Sequence, residues 1–139
     1  RLGKAHPGKT RILFGSCNKA RLPQPLWPHV LERRPDVWIW GGDNVYGDQL
    51  SHVRLLPKPG VVFEPTTEEK LKALYAIQLE QPGYVALLNS SVPIVGTWDD
   101  HDLGINDGDG TFLLKHVSRR LLLEFLREPA ESPRWQQPG

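Results

Sequence analysis

Three short stretches hold the residues that could do chemistry. Trp98–Asp99–Asp100–His101–Asp102 sets three carboxylates and an imidazole in four consecutive positions beside an apolar run. Like charges that close repel, and partial burial raises the cost. A bound cation offsets it. A solvated acidic turn is the plainer alternative, though Trp98 and the apolar run argue against full exposure. Gly41–Gly42–Asp43–Asn44–Val45–Tyr46–Gly47–Asp48 places two glycines just before a carboxylate. Glycine lets a backbone approach a ligand closely. Asp43 and Tyr46, three apart, can meet if the loop makes a helical turn, although Gly-Asp-Asn is also ordinary turn chemistry. Cys17 is the single cysteine. Taken alone it reads as a small buried hydrophobe; its place beside the carboxylates makes it a ligand candidate.

The elements that must position these residues follow from the pattern of apolar side chains. Thr10–Gly15 reads as a strand ending in the turn-like Ser16–Cys17–Asn18. Leu26, Trp27, Val30 and Leu31 make a helical stripe, with Pro28 early in it and Pro35 as its stop. Asp36–Trp40 is a continuous apolar run that suits a central strand buried on both faces. Leu50–Pro65 has three prolines and no period, and is expected to be a loop outside the core. Thr66 and Glu69 have capping-box spacing and predict a helix start, with Leu71, Leu74, Tyr75, Gln78 and Leu79 on one face. Pro82–Gly83 should end it, and Tyr84–Leu88 predicts a short helical turn. Val92–Trp98 predicts a third strand, followed by an acidic, Gly-rich loop and a helix over Phe112–Arg127.

Alternating strands and helices argue for an α/β fold with a mainly parallel sheet and flanking helices. Ligands of such sheets bind beyond the carboxyl ends of the strands. Cys17 follows the first strand, Asp43, Asn44, Tyr46 and Asp48 the second, and Asp99, Asp100, His101, Asp102, Asn106 and Asp107 the third. Their arrival at one rim is the main functional signal in the residues.

The chain has 139 residues, 17 Lys and Arg against 16 Asp and Glu, and 39% apolar residues. That composition reads as a single globular domain over 1–139, with a loose arm over 1–9. A net charge of +1 gives no electrostatic case for nucleic acid as a dedicated partner. No apolar run is long enough to span a bilayer, and no signal-peptide pattern is present, so localisation is open. The chain begins at Arg1 and contains no methionine, which reads as a processed product or a fragment. Gly3–Thr10 matches the phosphate-loop pattern letter for letter, but that loop needs a strand before it and a helix after it; here a strand follows, and the match is read as coincidence. A calcium loop starting at Asp107 fails because Phe112 and Ser118 stand where glycine and glutamate are required.

Phe14–Gly15–Ser16–Cys17–Asn18–Lys19, Gly42–Asp48 and Gly96–Asp102 with Asn106–Asp107 together resemble the alkaline phosphatase D (PhoD-like) branch of the calcineurin-like metallophosphoesterases. The resemblance covers about residues 11–134. It implies part of a calcineurin-like α/β sandwich, the N-terminal part of a catalytic domain. It implies metal-dependent hydrolysis of a phosphomonoester or phosphodiester by a metal-activated water, with iron and calcium as the metals. Carried onto this chain, the metal ligands are Cys17, Asp43, Tyr46 and Asp100, and the catalytic histidine is His101. Asn44, Asp99 and Asn106 are further ligand or substrate-contact candidates. The family's later ligands, a Gly-Asp-x-His type motif among them, are not matched. A truncated, non-catalytic remnant that binds metal weakly or serves as an interaction module is therefore the alternative. Counting donors, the short chain is expected to be a poor phosphatase.

Overall fold

The computed structural model describes residues 8–53 and 60–138. Most of the expected loose arm and Pro57 and Pro59 lie outside the described residues. Three parallel strands form the main sheet: β1 (Ile12–Gly15), β2 (Val37–Gly41) and a strand at Ile94–Thr97, with β2 in the middle. Between β1 and β2 the chain forms α1 (Trp27–Glu32). Between β2 and the Ile94–Thr97 strand it forms an antiparallel pair, β3 (Gln49–Val53) and β4 (Gly60–Glu64), then α2 (Glu68–Leu79) and α3 (Pro82–Leu88). The Ile94–Thr97 strand is thus β5, and α4 (Asp100–Leu103), α5 (Lys115–Phe125) and a 3-10 turn at Pro133–Gln136 follow it. The α/β class and the parallel sheet match the expectation from sequence.

The register explains where the core sits. Leu13, Trp38 and Ile94 lie across one row, and Phe14, Ile39 and Val95 across the next. Alternate residues of a strand point to opposite faces. Trp38 and Trp40 are buried against Trp27 of α1, and Trp40 also meets Tyr84 of α3 and Phe125 of α5, with ring centroids 5.0–5.9 Å apart. The other face keeps Ile12 52% and Phe14 77% exposed. The expectation that β2 is buried on both faces is therefore corrected: Val37 and Ile39 are half-buried, because the helices that supply the aromatic core pack on the Trp38–Trp40 side.

Four local expectations also change. Leu50–Pro65 is not a plain loop, since β3 and β4 pair from Gln49 opposite Glu64 to Val53 opposite Gly60. The cap of α2 is Thr67, whose side chain accepts from the Lys70 N–H at 3.3 Å. Thr66 is buried and its own N–H bonds to the Gly104 carbonyl at 2.8 Å, which ties the start of α2 to the loop after β5. Pro82 opens α3 instead of only closing α2, a position where its missing N–H costs nothing. The acidic loop contains α4, which starts with a true capping box between Asp99 and Asp102. No helix among the described residues is long and apolar enough to cross a membrane.

Candidate metal centre

Hydrogen bonds join the loops leaving β1, β2 and β5. The Cys17 N–H donates to the Gly42 carbonyl at 3.3 Å, and the Asn18 N–H donates to the Asp43 carbonyl at 2.8 Å. Asp102 joins the other two loops. Its carboxylate is fully buried and accepts from the backbone N–H groups of Asn44, Val45 and Asp99 and from the Tyr75 hydroxyl. Burial pushes its carboxyl up to about 7, against the pull of those four donors. Gly42 is the crossing point: its φ is +100°, and a Cβ there would stand 2.7 Å from Cβ of Asp99. Only glycine meets both demands.

This frame brings Asp43, Asp100 and His101 together, with one ligand atom from each within 4.8 Å of the others. Asp43 has a φ of +50°, an uncommon conformation for a residue with a side chain. It is 9% exposed; Oδ2 accepts from the Tyr46 hydroxyl at 3.0 Å, and Oδ1 is buried with no hydrogen-bond partner. Asp100 accepts from the N–H groups of His101 and Asp107. The Nδ1 of His101 lies 2.7 Å from Oδ1 of Asp48, whose side chain is 2% exposed and whose Oδ2 accepts from the Asn106 N–H. With Nδ1 so engaged, Nε2 is the ring nitrogen left for other work.

Tyr46 stands at the edge of this group. Its ring is 4.2 Å from the His101 ring, and its phenol is held far above the usual range, first by burial, then by the hydrogen bond and charge of Asp43, with Cys17 adding in the same direction. Cys17 is exposed, has a φ of +56°, and neighbours the Tyr46 hydroxyl, but lies outside the Asp43–Asp100–His101 group. Asn44 is fully buried: its amide nitrogen donates to the Thr97 carbonyl at 2.9 Å, and its Oδ1 is buried without a hydrogen-bond partner. Asp99 is an exposed helix cap. The Asn106 side chain bonds Asp107, and its backbone anchors Asp48. Asp48 and Asp102 were expected at the rim but given no role there, and Lys19 was not singled out. The signal for the roles of the first two was the spacing Asp43-x4-Asp48 and the Asp99-x-x-Asp102 capping pair.

Two carboxylates and an imidazole, one with an unpartnered buried oxygen, fit a metal ion. The group could hold one. No family model, no curated protein and no solved structure matches this chain.

Proposed function

We propose that the rim of the parallel sheet is a metal-dependent phosphoester hydrolysis site, of the kind the PhoD-like resemblance implies. The observation that carries this reading is the cluster of Asp43, Asp100 and His101, in which Asp43 also keeps a buried oxygen without a hydrogen-bond partner. Asp43 and Asp100 would hold the metal, with Tyr46 and Cys17 as further donors on the Asp43 side. The metal, when bound, would supply charge stabilisation on the phosphoryl oxygens and an acidified water, with iron and calcium the identities the resemblance favours. The chain's own residues do the remaining work. Tyr46 holds Asp43 in place through its hydroxyl. Asp48 fixes the His101 ring through Nδ1, so that Nε2 can hold a proton for the leaving oxygen.

The donor count supports a second reading. Asp43, Asp100, Tyr46 and Cys17 are four groups, of which Asp43 would have to serve both ions, and a two-metal site needs enough donors for both plus an open position. On that count the chain binds metal without rapid turnover. One experiment separates the two. The purified chain is loaded with iron and calcium, dialysed, analysed for metal, and assayed on p-nitrophenyl phosphate and bis-p-nitrophenyl phosphate beside Asp43→Asn. Retained metal and turnover, both lost in Asp43→Asn, support hydrolysis. Retained metal with no turnover supports the binding reading. A chain that retains neither ion has no such site.

A further inference from the structure

Lys19 follows the Cys17–Asn18 turn, whose backbone is pinned to Gly42 and Asp43. Its Nζ lies 3.1 Å from the centroid of the Tyr46 ring. The His101 ring lies 4.2 Å from the same centroid, so the ammonium and the imidazole have room only on opposite faces of the phenol. Lys19 is exposed, and no carboxylate among the described residues pairs with it. Its neighbourhood is otherwise acidic: Asp43, Asp48 and Asp100 all gather at the rim. Lys115, which lines the cavity beside Asp99 and Asp100, stands next to Asp109.

The Lys19 contact is that of a cation resting on an aromatic face. The contact is weak at an exposed site. The lysine stem has four flexible carbons and its head is a compact charge with three donors. It can leave the ring for an anionic oxygen at low cost.

The geometry points to Lys19 as the anion-receiving residue of the rim, selecting a dianionic phosphomonoester over a monoanionic phosphodiester. This deepens the proposed function and rests on it. A monoester presents one more anionic non-bridging oxygen than a diester does. A lysine ammonium forms a charge-assisted bond to such an oxygen, stronger than a neutral one. In a diester that position carries an ester group, which offers neither the charge nor an equal acceptor.

The test uses equilibrium binding rather than turnover. The iron- and calcium-loaded chain is titrated calorimetrically with inorganic phosphate and with dimethyl phosphate, as wild type, Lys19→Met and Lys19→Arg. Phosphate should bind tighter than dimethyl phosphate. Lys19→Met should weaken phosphate about tenfold and leave dimethyl phosphate unchanged, and Lys19→Arg should restore most of the loss. Unchanged phosphate affinity in Lys19→Met overturns the assignment, as does a wild type that binds neither probe or prefers dimethyl phosphate. Turnover that persists with Lys19-independent phosphate binding removes this inference alone. Lys19-dependent phosphate binding without turnover removes the hydrolytic reading and leaves the anion site standing.

Discussion

His101 has Nδ1 committed to Asp48, which leaves Nε2 as the nitrogen for any ligand or proton, and that division decides what the residue can be. The 2.7 Å contact from a nearly inaccessible carboxylate fixes both the ring plane and the tautomer. Asp48 itself is fixed by the Asn106 N–H. Removing the charge while keeping the shape isolates this effect. Asp48→Asn should fold normally, and it should lower metal affinity or turnover by about 10–100-fold. Where the loss falls is informative: in metal affinity if His101 is a ligand, in turnover alone if it serves the leaving oxygen. Equilibrium dialysis and kcat on the same preparations read both, and no change in either would mean that the His101–Asp48 contact is structural. At this scale much was readable from sequence. Of the residues expected at one rim, Asp43, Asp100 and His101 lie together, Tyr46 bonds Asp43, and Cys17 stands beside the Tyr46 hydroxyl outside that group. The bond from the Asn44 amide to the Thr97 carbonyl was not readable, because nothing in the residue type selects that acceptor.

The loops after β2 and β5 depend on one buried side chain. Asp102 accepts from Asn44, Val45 and Asp99 and from Tyr75 of α2, so it joins the site to the helix layer. Asp102→Ala leaves several buried donors without an acceptor and should cost roughly 3 kcal/mol or more. Denaturant unfolding followed by tryptophan fluorescence measures it; a loss under roughly 1 kcal/mol would mean that water replaces the carboxylate. The capping-box spacing Asp99-x-x-Asp102 was in the sequence, but three acids beside a histidine read as ligands before they read as a cap. The same competition moved the start of α2. Thr66 and Thr67 are equally good caps by type, and the Gly104 carbonyl, from a loop far along the chain, takes the Thr66 N–H. The β3–β4 pair was hidden for a different reason. Prolines at 57, 59 and 65 mask a pattern that ends before and resumes between them, and β4 begins at Gly60, just past Pro59.

At the scale of the whole molecule, the chain's three tyrosines come from three different elements, and all are held neutral. Tyr46 leaves the β2 loop, Tyr75 lies on α2, and Tyr84 on α3. Tyr75 and Tyr84 both pack on Phe125 of α5, at 4.8 and 5.8 Å, and Tyr84 accepts from the Trp40 indole N–H at 3.1 Å. Burial raises Tyr84 to about 12, with Trp40 and Arg127 pulling the other way. Burial also raises Tyr75, helped by the charge and hydrogen bond of Asp102. Tyr46 is raised by burial and then by Asp43. An unfolded tyrosine ionises near pH 10. The folded chain therefore binds more protons than the unfolded chain above that pH. The stabilisation is complete below about pH 10 and is lost as pH rises toward about 12 and beyond. An alkaline titration of the metal-free chain, read at the phenolate absorption band, should show almost no signal near pH 10. The phenolate should then appear together with the loss of folded tryptophan fluorescence. In strong denaturant all three should ionise near the ordinary value. A third of the full signal appearing near pH 10 with the fold intact would mean that one ring ionises as it does in the unfolded chain. Tyr46 is the one to examine, since it alone depends on a candidate metal ligand instead of the aromatic core.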